Sequence, residues 1–107
     1  MNISSPGLSL LETLYYGSLE PYVPDADDNV YIYSLQNIAV QFTVLDYDIS
    51  KNGTLGFKDA SGNLSILTGV NKTLEFFSTT VTLYYSEPNY GHKGARIYLK
   101  AFYKSAI

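Results

Sequence analysis

The chain of 107 residues has no cysteine and no tryptophan, and only 16% of it is charged. Without cysteine there are no disulfides, no thiolate catalysis and no cysteine-based zinc site. Basic residues are scarce as well: 7 Lys and Arg stand against 10 Asp and Glu, giving a formal charge of −3 and a pI near 4.8. Such a chain lacks the cationic field that a phosphate backbone demands, so nucleic acid is not an expected partner. No apolar run approaches the roughly 20 residues a spanning helix needs, and membrane insertion is not expected. The opening MNISSPGLSLLETL has neither a basic start nor a continuous apolar segment, so it does not read as a secretory signal.

What is present points to a packed β-protein. Hydrophobic residues make up 46% of the chain, which argues against disorder. Its length suits one compact domain over residues 1–107. Tyrosine is abundant, with 11 copies beside 5 Phe. Its apolar body and polar tip suit half-buried strand faces and binding surfaces alike. The 7 asparagines supply four acceptor triplets, at Asn2, Asn52, Asn63 and Asn71, where chance would supply about one. That excess favours an extracellular or particle-surface location.

Period-two alternation dominates, and no window holds a convincing period of 3.6. Strands are expected at 29–34, 38–46, 54–58, 64–68, 74–77, 79–85 and 95–103. In the second of these, Ile38, Val40, Phe42 and Val44 share one face, while Ala39, Gln41, Thr43 and Leu45 share the other. Val81, Leu83 and Tyr85 align similarly, as do Ala95, Ile97, Leu99 and Ala101. Residues 9–15 read either as a short helix, with Leu8, Leu11 and Tyr15 on one side, or as an early strand. Short strands between polar turns predict an all-β fold, an antiparallel two-sheet β-sandwich.

Three segments carry a family resemblance. Gly17-Ser18-Leu19-Glu20-Pro21-Tyr22-Val23-Pro24 is similar, one residue short, to an opening Gly-x-Ile-x-Ser-Pro-x-Tyr-Pro. The strand IAVQFTVLDYDIS ends in Leu45, Asp46, Tyr47 and Asp48, as a long apolar strand closing on acids does. The last third, TVTLYYSEPNYGHKGARIYLKAFY, matches a closing strand pair through Ser86, Glu87, Gly94 and Tyr98, with Ala95 in place of an aromatic. Together they resemble the CUB domain, an extracellular module of jelly-roll type. Two disulfides and a Cys-x-Trp strand usual in that family are absent. Gly53-Thr54-Leu55-Gly56-Phe57 replaces its Asp-Tyr-x-x-Ile strand.

The resemblance implies a calcium edge, which a ligand's lysine contacts. By position its acids would be Asp48, Asn52 or Gly53, and Glu87, with Asp46 two residues from Asp48. Asp46, Asp48 and Glu87 are therefore the candidate calcium ligands, since calcium takes six to eight oxygens. The same three could equally be solvated turn and loop acids. Asp25, Asp27 and Asp28, followed by Asn29, lack the glycine and distant glutamate of a calcium loop and read as a solvated turn. His92, the single histidine, has no second His or Cys to share a zinc ion. Ser86, His92 and Glu87 crowd one loop without an aimed nucleophile or oxyanion hole, so no enzyme is expected.

Loop 88–93 reads best as a contact surface. Tyr90 and His92 offer aromatic groups and Lys93 a charge, and the outward row Arg96, Tyr98 and Lys100 continues it. Tyr90, His92, Lys93, Arg96 and Tyr98 are the candidate ligand-binding residues, against the plainer alternative of a solvated sheet face. The expected function is a non-catalytic extracellular recognition module for a protein or glycan. Two alternatives stand beside it: a self-associating homo-oligomeric component of a matrix, coat or particle, and an accessory carbohydrate-binding domain of a larger enzyme.

Overall fold

A strand with one apolar face must bury it against a second layer. In the computed structural model, which describes residues 1–25 and 29–104, the strands do so in two sheets. They are β1 (Asn2–Ile3), β2 (Gly7–Glu12), β3 (Val30–Ser34), β4 (Ile38–Asp48), β5 (Thr54–Lys58), β6 (Leu64–Ile66), β7 (Thr73–Phe76), β8 (Thr80–Ser86) and β9 (Gly94–Tyr103). One sheet has the order β1-β3-β8-β5-β6, the other β2-β9-β4-β7. Pairing is antiparallel except at one edge, where β1 and β3 run parallel over two residues. The expected all-β two-sheet sandwich is the fold found.

The core forms where the periodicity put it. Val40, Phe42 and Val44 are 0% exposed and Ile38 is 1%. They share one buried cluster with Leu55 and Phe57 of β5, Val81 and Leu83 of β8, and Ile97 and Leu99 of β9. Phe42 stacks on Phe57 across the sandwich at 4.1 Å between ring centroids, and Phe76 meets Phe42 edge-on at 5.9 Å. This contact glues the two layers at their middle.

Of the two readings for residues 9–15, the strand holds for 9–12, and a turn follows at 14–17. Gly7–Glu12 pairs along β9 from Gly7 opposite Ala101 to Glu12 opposite Arg96, and Leu11 alone of its leucines is buried. So short a helix is marginal in water, whereas a ready strand edge satisfies its backbone. Strand β6 is shorter than expected because Leu67 leaves the ladder, drops into the core and donates its N–H to the Leu55 carbonyl at 2.9 Å.

Candidate functional site: the loop rim

Strict alternation along β4 would carry Asp46 and Asp48 onto the buried face behind Val44. A β-bulge prevents this. Val44 pairs with Ile97 and Asp46 with Arg96, so Leu45 is the extra residue. One inserted residue reverses which way the rest of a strand faces. Leu45 lies exposed, Tyr47 packs against the core, and Asp46 and Asp48 emerge on the outer face of the four-stranded sheet.

There the closing loop meets them. Lys93 Nζ lies 3.2 Å from Asp46 Oδ2, and the Tyr16 hydroxyl donates to the same oxygen. Asp48 Oδ2 accepts the Lys93 backbone N–H at 2.9 Å, and its Oδ1 lies 3.0 Å from His92 Nδ1. The Tyr16 hydroxyl and then the Lys93 ammonium hold Asp46 below the usual carboxylate range. The Lys93 amide does the same for Asp48, helped by His92 against the opposing effect of partial burial. Contact with Asp46 in turn raises both Tyr16 and Lys93.

Glu87 sits elsewhere. It follows Val81, Leu83 and Tyr85 on the inward side of β8 and is 0% exposed. Its Oε1 accepts the Ser50 N–H at 2.6 Å, and its Oε2 accepts the Ser50 hydroxyl at 2.6 Å and the Asn89 N–H at 3.1 Å. Its backbone exchanges two hydrogen bonds with Tyr22, each 2.6 Å. Burial alone would raise this carboxyl, but the Ser50 and Asn89 donors outweigh it and the net shift is downward. Burial, with the charges of Glu87 and Asp48, pushes the nearby Tyr85 hydroxyl up to about 12.

Two glycines let these segments close together. Gly94 opens β9 at φ 97, and a Cβ there would collide with the Thr13 hydroxyl, which accepts the Ala95 N–H at 3.0 Å. At Gly53 a Cβ would collide with Ile49 and lie 2.9 Å from the Ser86 carbonyl oxygen and 3.2 Å from Glu87 Oε1. Position 53, one of the two where the resemblance implies an acid, has no room for a side chain.

The candidate calcium acids are thus divided by the bulge and by burial. Asp46 and Asp48 face outward and are paired with Lys93 and His92. Glu87 faces inward and is held by three donors. Among the described residues no three His, Asp or Glu side chains are placed to hold a metal ion. As folded, these residues do not fit one shared calcium ion, which wants six to eight oxygens.

Of the candidate contact residues, Tyr90 is 77% exposed at the loop crest. His92 and Lys93 stand beside it, tethered to the two aspartates. Arg96 pairs with Glu12 at 3.1 Å, its guanidinium 5.9 Å from the Tyr16 ring centroid. Tyr98 lies further along the sheet, opposite Leu10 and Thr43. Asp27 and Asp28 lie outside the described residues. The sequence reading missed Tyr15, Tyr16, Ser50 and the side chains of Glu20 and Tyr22. The clustering of three tyrosines around Gly17 and Pro21 was the available signal. Loop 13–22 is stitched to the closing loop by Gly17 N–H to Lys93 O and Gly91 N–H to Leu19 O, both 2.8 Å.

No family model matches this sequence, and no curated protein matches it. Solved structures do. The full extracellular region of zebrafish Gpr126/Adgrg6 superposes with a TM-score of 0.70 at 15% identity, over 97% of this chain and 15% of that one. The CUB1-EGF-CUB2 region of human MASP-1/3 gives 0.67 at 14% identity, over 95% of this chain and 41% of that one. The MASP-1 CUB2 domain bound to Ca²⁺ gives 0.62 at 15% identity, over 92% of this chain and 96% of that one. The chain therefore spans less than half the length of each of the first two. At such identity the likeness speaks for the fold. The fold is a CUB-like β-sandwich of jelly-roll type, built without cysteine.

Proposed function

We propose that the chain is a non-catalytic extracellular recognition module whose loop rim grips a protein or glycan ligand. The observation that carries this reading is the clasped rim. Three segments (13–22, 49–53 and 87–93) are tied by Glu87, Asp46 and Asp48, and Tyr90 is left exposed on top. A surface ordered before binding loses less entropy on association, and loops on a rigid scaffold are the usual seat of recognition. Tyr90, His92 and Lys93 form the contact crest, with Arg96 at its flank and Tyr98 extending it down the sheet. CUB-like neighbours from extracellular proteins support the location, and the side chains of Asn2, Asn52, Asn63 and Asn71 are all exposed for modification. Calcium at Asp46, Asp48 and Glu87 would need the clasp to open, and in this reading Lys93 supplies the positive charge instead.

Arrayed secreted ectodomains and glycans, probed with the wild type, Tyr90→Ala and Lys93→Glu, test the proposal. Ligands should be lost with either rim variant. Ligands that survive both would place recognition elsewhere. Self-association is a second reading, favoured by Leu8 and Leu10, which are 64% and 49% exposed on edge strand β2 beside Tyr98. Sedimentation at rising concentration tests it, and a monomer throughout would end it.

A further inference from the structure

Behind the rim lies a cavity of about 210 Å³, bounded by Tyr15, Tyr22, Tyr85, His92, Glu20 and Ser18 among others. We propose that it is a subsite for a single neutral sugar ring, such as the terminal hexopyranose of a glycan. The proposal rests on the recognition reading above and specifies its ligand.

Size is the first argument. Sites for drug-sized molecules run to about 300–1,000 Å³, so this one admits a ring-sized unit. The walls are the second. Tyr22 meets Tyr15 edge-on at 5.6 Å and 64°, and lies nearly parallel to Tyr85 at 5.7 Å and 10°. A pyranose has an apolar C–H face and a hydroxyl rim; with Tyr22 and Tyr85 stacked on each other, the ring face left for it is that of Tyr15. Tyr15, 71% exposed, presents its ring at the mouth.

Charge selects among ligands. The lining holds one carboxylate, Glu20, and no lysine or arginine, so an anion is disfavoured. An ammonium cage would need ring faces converging on one point, but Tyr22 and Tyr85 turn a face to each other. A carboxylate, a hydroxyl and an imidazole instead supply the mixture of acceptors and donors that sugar hydroxyls require.

The backbone adds an independent observation. Tyr15 and Leu19 have φ of 58 and 65, the left-handed region that bulky residues rarely adopt. Such strain persists where surroundings over-determine it, and it clusters at functional sites. Here the hydrogen bonds from Gly17 to Lys93 and from Gly91 to Leu19 brace the loop, and the strained turn sets Tyr15 against Tyr22.

The test is a titration of the intact chain with methyl glycosides of glucose, galactose, mannose and N-acetylglucosamine, followed by amide and aromatic NMR shifts. At least one should give saturable millimolar binding with shifts confined to residues 14–22, Tyr85 and His92. Tyr15→Ala and Glu20→Gln should each weaken it at least tenfold, while Tyr31→Ala on β3, outside the cavity lining, leaves it unchanged. No saturable shift with any glycoside overturns the proposal, as does saturable binding of tetramethylammonium in their place. If no glycoside binds while array ligands still depend on Tyr90 and Lys93, only the sugar subsite fails. If glycosides bind but every array ligand ignores the rim variants, the rim reading fails instead.

Discussion

The middle of the sandwich and its loop rim are held by opposite kinds of force. In the middle, Phe42, Phe57 and Phe76 touch across the layers with no polar atom among their side chains. At the rim, a buried carboxylate and two outward aspartates bind three loops through hydrogen bonds and ion pairs. Apolar contact is non-directional, so the middle tolerates any arrangement that fills the space. Hydrogen bonds are directional and costly to leave unmade, so the rim has one arrangement or none. A rim built this way holds its shape while keeping aromatic groups in solvent.

The contrast can be broken most severely in the middle. Phe42→Ala should cost about 3–5 kcal/mol, the range for emptying a buried aromatic site, and denaturant unfolding would measure it. A loss below 1 kcal/mol would mean that the layers do not meet there. Gly94→Ala comes next. Forcing a Cβ into a left-handed backbone costs about 1–3 kcal/mol, and the collision with Thr13 adds to that. Its loss should exceed that of alanine at a rim glycine with open space, Gly91.

Glu87→Ala leaves the Ser50 and Asn89 donors without their acceptor, and a buried unsatisfied donor costs about 1–3 kcal/mol. It should also alter the acid limb of stability. The folded carboxyl lies below its unfolded value of about 4.3, so its contribution is complete at neutral pH. As pH falls past that value the unfolded chain takes up the proton first, and the contribution is lost through the folded value. Glu87→Gln should flatten the fall in melting temperature below pH 5 and leave the smaller slope due to Asp46 and Asp48. An unchanged slope would show that Glu87 contributes nothing there.

Lys93→Ala should cost under about 1 kcal/mol, because exposed ion pairs are screened, yet it should loosen the loop enough to raise amide exchange at residues 89–93. The smallest expected effect is none at all. Calcium at millimolar concentration should leave the melting temperature unchanged, since a ligand stabilises only the state that binds it. A rise of several degrees would mean that the rim reorganises into an ion site and that the clasp is only one of its states.

How much of this was legible follows from the type of force. The row Ile38–Val40–Phe42–Val44 and its counterparts on β8 and β9 could be read directly, because burying one face of a strand leaves a period of two in the chain. The rim left no such period. Asp46 and Asp48 share a spacing with Phe42 and Val44, and only the bulge at Leu45 turns them to the outer face. Glu87 reads like any loop acid, yet it is fully buried because Ser50, 37 positions away, reaches it.

Composition and alternation alone therefore settled a cysteine-free all-β sandwich and named the residues that fill it. They did so because the hydrophobic effect depends on which side chains are apolar and not on their precise partners. The facing of the acids, the closure of the rim and the tyrosine-lined cavity were settled only by the packed chain. Those features depend on directed contacts between segments distant in sequence, and a strand register shifted by one residue reverses them.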